Sequence, residues 1–175
     1  PTRFTSSSRS SDSFSAVGSI IVAGGGPAGM MAAGRAAALG AEVVLLEKNR
    51  RTGRKLLITG GGRCNVTNDL HDRHLLVSRY GERARGLHSP FARFSPQMMR
   101  DFLASYGLET RVENEGRVFP VTDRAASVRE VLERFMHDGG VSVRAGVTVA
   151  AIETGQPNAA ATAPVTGVRT SSGEV

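Results

Sequence analysis

At 175 residues the chain is long enough to bury a core of its own and short enough to hold one domain or slightly more. Its 40% hydrophobic and 22% charged residues are globular in proportion, and its single cysteine excludes an intramolecular disulfide framework and a zinc ribbon, which points to a reducing, cytoplasmic setting. The formal net charge of +6 is local: Lys48, Arg50, Arg51, Arg54, Lys55 and Arg63 crowd one segment with no acidic residue between Lys48 and Arg63, which suits a compact anion better than a duplex.

Residues 1–18 are Ser-rich, with Arg3 and Arg9 against Asp12, and read as a disordered tail outside the fold; an organelle transit peptide shares that composition. The apolar runs at 20–23 and 43–46 are far shorter than the roughly 18 residues that a membrane span needs, so no membrane partner is expected. Residues 19–23 precede a glycine cluster as a buried parallel strand does, and are expected at the centre of a sheet. Pro27 then suits the first position of a helix over 28–39, stopped by Gly40, and 41–47 read as a second buried strand. These three pieces form one β-α-β unit.

Residues 53–68 are loop-like. A helix is expected after Ser95 and Pro96, because Met99, Phe102, Leu103 and Tyr106 recur at helical spacing before Gly107. Residues 118–121 read as an edge strand, since Pro120 cannot donate to a ladder. Val128, Val131, Leu132 and Phe135 mark a second helix over 124–137, and strands follow Gly139-Gly140 at 141–144 and 147–152. After a loop at 156–164, residues 165–170 alternate like a strand whose returning arm would begin at Glu174. The expected organisation is a tail over 1–18, an α/β Rossmann-like domain with a parallel central sheet over 19–155, and a loop and hairpin start over 156–175. That sheet is incomplete at the C-terminus, as in an N-terminal fragment.

Gly24, Gly26 and Gly29 form G-x-G-x-x-G between the first strand and the first helix, with Pro27 and Ala28 inside the motif. The first glycine serves the tight turn, the second lets backbone approach a pyrophosphate at the helix N-terminus, and the third brings helix and strand together. Glu47 ends the second strand, where a carboxylate accepts ribose hydroxyls and disfavours a 2′-phosphate. The second glycine cluster, Thr59-Gly60-Gly61-Gly62-Arg63-Cys64-Asn65, is more specific. Together with Glu47-Lys48, Gly53-Arg54-Lys55 and Gly116-Arg117-Val118-Phe119-Pro120, it resembles the bacterial aminoacetone-oxidase-like and bile-acid-reductase-like FAD-dependent oxidoreductases over about 19–153.

That resemblance implies a flavoprotein with two dinucleotide-binding domains, in which FAD lies along the first β-α-β unit and NAD(P)H is a candidate electron donor. It places Gly24, Gly26, Pro27, Ala28 and Gly29 on the pyrophosphate and Glu47 on the adenosine ribose. Lys48, Arg54 and Lys55 fall near the adenosine or the phosphates, and Gly61, Gly62, Arg63, Cys64 and Asn65 along the riboflavin half. Val149 matches a position whose backbone touches adenine. Family members are longer, so no catalytic side chain and no substrate carries over.

Cys64 has no partner for a disulfide-reductase cycle, so packing is the favoured role over redox chemistry. His71 and His74 are three apart but lack a third ligand, and no metal is expected. The leading function is the FAD-binding portion of an oxidoreductase acting on a small molecule, with this chain alone inactive. A non-catalytic dinucleotide-binding or sensor module is the alternative, and a nucleic-acid-binding protein using the basic loop is disfavoured.

Overall fold

The computed structural model describes residues 19–157 and 163–171. The tail expected over 1–18 lies outside them. A parallel three-stranded sheet is built from β1 (Ile20–Ala23), β2 (Val43–Glu47) and β6 (Ser142–Ala145), in the order β1-β2-β6. Ile20 pairs with Val43 and Glu47 with Ala145, so all three strands end on the same side. The first helix, α1 (Pro27–Ala38), has Pro27 at its start, as the sequence predicts, with Gly26 as its N-cap. The expected central strand is β1, but β2 takes that place. Ile20 and Ile21 on β1 are 37% and 40% exposed, whereas Val43, Leu45 and Leu46 on β2 are buried because strands flank β2 on both sides.

On this sheet packs α1, which contacts β1 and β2; α5 (Ala125–Asp138) lies against α1, and α4 (Pro96–Ser105) adds Leu103 to the same core. The periodicity predicts both later helices. In α4, Ser95 caps the N-terminus through its Oγ, which accepts from the Met98 amide at 3.2 Å, and Leu103 is fully buried. In α5, Val128, Val131, Leu132 and Met136 enter the core together with Met30 and Ala33 of α1 and Leu45 of β2. Each such Val, Leu or Met side chain contributes about 1.5–3 kcal/mol by leaving water. The α1–α5 crossing is close because Gly34 leaves room for Phe135: a Cβ there would collide with the ring.

A second sheet is antiparallel, in the order β3-β5-β4, from β3 (Thr67–Asn68), β4 (Thr110–Glu113) and β5 (Arg117–Pro120). The sequence expects an edge strand at Pro120, yet β5 is the middle strand. Pro120 sits at its last position opposite Thr110, beyond the reach of β3, which pairs only with Val118 and Arg117. Its missing N–H therefore leaves no gap on that side. Between β3 and α4 lie two short helices, α2 (Arg73–Ser78) and α3 (His88–Arg93), which the periodicity does not announce.

Residues 149–170 correct another expectation. β8 (Val165–Thr170) pairs antiparallel with β7 (Val149–Thr154), and Arg169 donates from Nε to Glu153 Oε1 at 2.8 Å across the pair. The strand at 165–170 thus has a preceding partner; the returning arm expected at 174–175 lies outside the described residues.

Candidate functional site

The carboxyl ends of parallel strands are where an open α/β sheet leaves a crevice for ligands. Here the ends of β1, β2 and β6 are joined by backbone hydrogen bonds. The Gly24 amide donates to Leu46 O at 2.7 Å, Val147 to Glu47 O at 2.9 Å, Gly146 to Asn49 O at 3.0 Å and Gly53 to Gly25 O at 2.7 Å. The glycine turn is therefore held from two sides, by β2 and by the loop that follows it.

Within the turn, Gly24 has φ +108°, a region that disfavours side chains, and α1 begins at once. A Cβ at Gly29 would collide with the Gly24 carbonyl oxygen, which is the close helix–strand approach expected of that glycine. At Gly26 the surroundings differ: its φ of −75° is ordinary and no atom lies within 4 Å of where a Cβ would stand. The space beside Gly26 is open, Pro27 and Ala28 are exposed, and the first amides of α1 have no intrahelical partner. That arrangement accepts an anion.

Glu47 is 7% exposed, and its carboxylate is already engaged. Oε2 accepts from the Gly25 amide at 2.7 Å, and Oε1 accepts from the Asn49 amide at 2.7 Å and from the Asn49 side chain. Burial pushes its pKa up, but these hydrogen bonds and the charge of Lys48 outweigh burial and hold it below the ordinary glutamate value. Around it stand residues that the motif alone does not single out. Gly25 has no room for a side chain, since a Cβ would lie 2.8 Å from the Thr52 methyl and 3.1 Å from Glu47. Asn49 orients the carboxylate and accepts from Arg54 at 3.1 Å, and Thr52 donates to Glu133 of α5 at 2.8 Å. The sequence signal for Gly25 was the unbroken Gly24-Gly25-Gly26 run; Asn49 and Thr52 had none.

Lys48, Arg54 and Lys55 are exposed around this turn. Val149 opens β7 two residues after Val147, whose amide donates to the Glu47 carbonyl at the end of β2.

The second glycine cluster lies elsewhere, against β5. Residues 56–62 form a short helical turn in which Gly60, Gly61 and Gly62 all have positive φ. A Cβ at Gly60 would come within 2.7 Å of the Asn65 amide nitrogen, whereas Gly61 faces open space. Asn65 satisfies its amide when Nδ2 donates to Thr67 O at 2.9 Å and Val118 O at 3.2 Å. The Arg63 guanidinium is committed to the protein. It pairs with Glu113, donates from Nε to Asp123 at 2.7 Å and lies 4.1 Å from the centre of the Phe119 ring. Arg111 bridges the same two acids, and hydrogen bonds from the two guanidiniums hold both carboxyls below their ordinary range. Cys64 is buried with φ 64°, and burial pushes its thiol pKa up, while a hydrogen bond with Thr59 acts in the opposite direction. This environment fits packing, not a reactive thiolate.

His71 lies 3.7 Å from Asp69, and the His74 and His88 rings pack at a tilt with centres 4.9 Å apart. Among the described residues no group of three His, Cys, Asp or Glu could hold a metal ion, and no helix is long and apolar enough to cross a membrane.

Comparison with known proteins agrees with the motif resemblance. The 3-dehydro-bile acid delta(4,6)-reductase of Clostridium scindens is 36% identical over 107 residues, 61% of this chain and 25% of that protein. The chain thus spans about a quarter of the length of this curated relative. Among solved structures, Thermovibrio ammonificans THI4 shares a TM-score of 0.60 at 17% identity, over 89% of this chain and 48% of that one. The 3-ketosteroid-delta4-(5alpha)-dehydrogenase of Rhodococcus jostii RHA1 shares a TM-score of 0.62 at 16% identity, over 88% and 42%. At these identities the likeness is one of fold. Residues 18–170 match the family described as HI0933-like protein Rossmann domain, so the chain belongs to that HI0933-like family and carries its Rossmann α/β fold.

Proposed function

We propose that this chain is the FAD-binding portion of a flavin-dependent oxidoreductase that acts on a small organic molecule. The observation that carries the reading is the Glu47 carboxylate held 2.7 Å from the Gly25 amide, beside an open Gly26 at the N-terminus of α1. These residues fit a dinucleotide. The amides at the start of α1 would bind the pyrophosphate, and Gly26 leaves the backbone approachable. Glu47 would accept the adenosine ribose hydroxyls, with Asn49 keeping its carboxylate aimed into the turn. Lys48, Arg54 and Lys55 add positive charge outside the turn, and the Val149 backbone is a candidate for the adenine edge. The segment Gly61, Gly62, Arg63, Cys64 and Asn65 is assigned to the riboflavin half, with Arg63 bracing the segment against Glu113 and Asp123.

When bound, the flavin would supply hydride or electron transfer. The protein's residues bind and orient it. A reductive direction with NAD(P)H as donor is the first expectation, because the Clostridium scindens relative is named a reductase. The single buried thiol accords with a reducing compartment such as the cytoplasm. A non-catalytic dinucleotide-binding or sensor module is the second reading.

The test is the absorbance spectrum of the full-length protein. The expected result is a flavin spectrum that bleaches with NAD(P)H under anaerobic conditions and returns with oxygen. Stoichiometric flavin that no nicotinamide reduces would favour the non-catalytic module. A colourless protein that releases no flavin on denaturation would overturn the assignment.

A further inference from the structure

Beside the second glycine cluster lies a groove of about 490 Å³, within the roughly 300–1,000 Å³ range of small-molecule pockets. Asn65 belongs to both. Its floor is Asn65 and the start of β3, including Thr67; its wall is Leu76 of α2, Tyr80, Phe91 of α3 and Phe94. Tyr80 and Phe91 pack with ring centres 5.8 Å apart, yet Tyr80 remains 61% and Phe94 39% exposed. Large aromatic side chains left open to water around a concave surface mark a recognition site.

The chemistry of the lining narrows the occupant. In a chain with 22% charged residues and a net charge of +6, none of the eleven lining residues is charged. Some polar groups there are already used: Asn68 donates to Glu115 O at 2.8 Å, and Ser95 accepts from Met98. The hydroxyls of Thr67 and Tyr80 engage no other group among the described residues, and the Asn65 side-chain oxygen is left free when its nitrogen serves Thr67 and Val118. A charged ligand would lose hydration there without gaining a counter-charge. A flat apolar ring system would cover the aromatic wall, and a carbonyl or hydroxyl on it would meet the hydroxyl of Thr67 on the floor or of Tyr80 on the wall.

We propose that this groove binds a neutral, ring-containing organic molecule bearing a carbonyl or hydroxyl group, and that it is the substrate site. The inference rests on the flavin reading for the word substrate, because Asn65 links the groove to the segment assigned to the riboflavin half. The binding claim rests on the groove alone.

The experiment uses the full-length protein with its flavin content measured by absorbance, and 2-acetylnaphthalene as a neutral ring-ketone probe in titration calorimetry. One probe should bind per chain and perturb the visible flavin band. Tyr80→Ala and Phe94→Ser, at exposed positions, should each weaken binding about tenfold, the scale of a lost aromatic contact, with flavin content unchanged. Tyr80→Phe should keep the ring contact and most of the affinity. 2-Naphthoate, the anionic analogue, should bind more weakly than the ketone, and equal or tighter binding would overturn the preference for a neutral ligand.

Binding that neither variant alters, or no binding by a flavin-loaded protein, would overturn the groove and leave the flavin reading standing. The latter would mean that other parts of the polypeptide cover the groove. Binding that responds to the variants without perturbing the flavin band would overturn the substrate role. A protein without flavin would refute the flavin reading, and with it the substrate role, while calorimetry would still decide whether the groove binds the ring ketone.

Discussion

Oε2 of Glu47, the last residue of β2, accepts a 2.7 Å hydrogen bond from the amide of Gly25, 22 residues earlier in the chain. The acid is thus part of the glycine turn as well as a candidate ligand group. Its removal acts on the fold and on binding together.

Glu47→Gln keeps one acceptor but turns an N–H₂ group toward a backbone donor. Hydrogen bonds to charged groups contribute about 1.5–3 kcal/mol, so a loss of that order is expected, with flavin affinity falling about 10- to 100-fold. Folding lowers the Glu47 pKa, so its contribution to stability is present above the ordinary glutamate value, about 4.3, and is lost as pH falls through the lowered folded value. Urea unfolding between neutral and acid pH should therefore show a smaller acid-induced loss in the variant than in the parent. Parallel pH profiles, or an unchanged flavin dissociation constant, would contradict the placement of Glu47.

Gly26 and Gly29 should separate binding from folding. Gly26→Val meets open space and an ordinary φ, so the fold and its thermal midpoint should persist while flavin is lost. Gly29→Val drives a branched side chain into the Gly24 carbonyl and should cost about 3 kcal/mol or more, the upper range of overpacking. Circular dichroism melts and flavin absorbance after desalting distinguish the two. A Gly26→Val protein that stays yellow would remove the pyrophosphate from that turn.

Arg63→Ala should lower the thermal midpoint by a few degrees, because Glu113 and Asp123 keep Arg111 and the guanidinium is partly exposed. The difference from the parent should narrow in about 1 M salt, where screening acts over about 3 Å. Flavin content should change less than in Gly26→Val. An equal loss of flavin with no effect on the midpoint would instead make Arg63 a direct ligand.

Cys64 should resist alkylation by iodoacetamide in the native protein at neutral pH, since it is 5% exposed and its thiol pKa is raised. Labelling is expected only on unfolding. Rapid native labelling, measured by mass spectrometry, would contradict both its burial and its packing role.

Local patterns determined much of this protein. The β1-α1-β2 unit follows from an apolar run, three spaced glycines and Pro27, because turn, cap and strand preferences act over a few residues. The same holds for α4 and α5, whose 3.6-residue periodicity gives one face to the core. Tertiary structure alone decided which strands are neighbours. It put β2 rather than β1 at the centre of the parallel sheet, made β5 a middle strand although it ends in Pro120, and gave β8 the partner β7, because pairing joins residues far apart in the chain and leaves no local trace. The same reason hid Asn49 and Thr52. They matter through Glu47 and Gly25, and nothing in the sequence around them shows that folding brings these groups together.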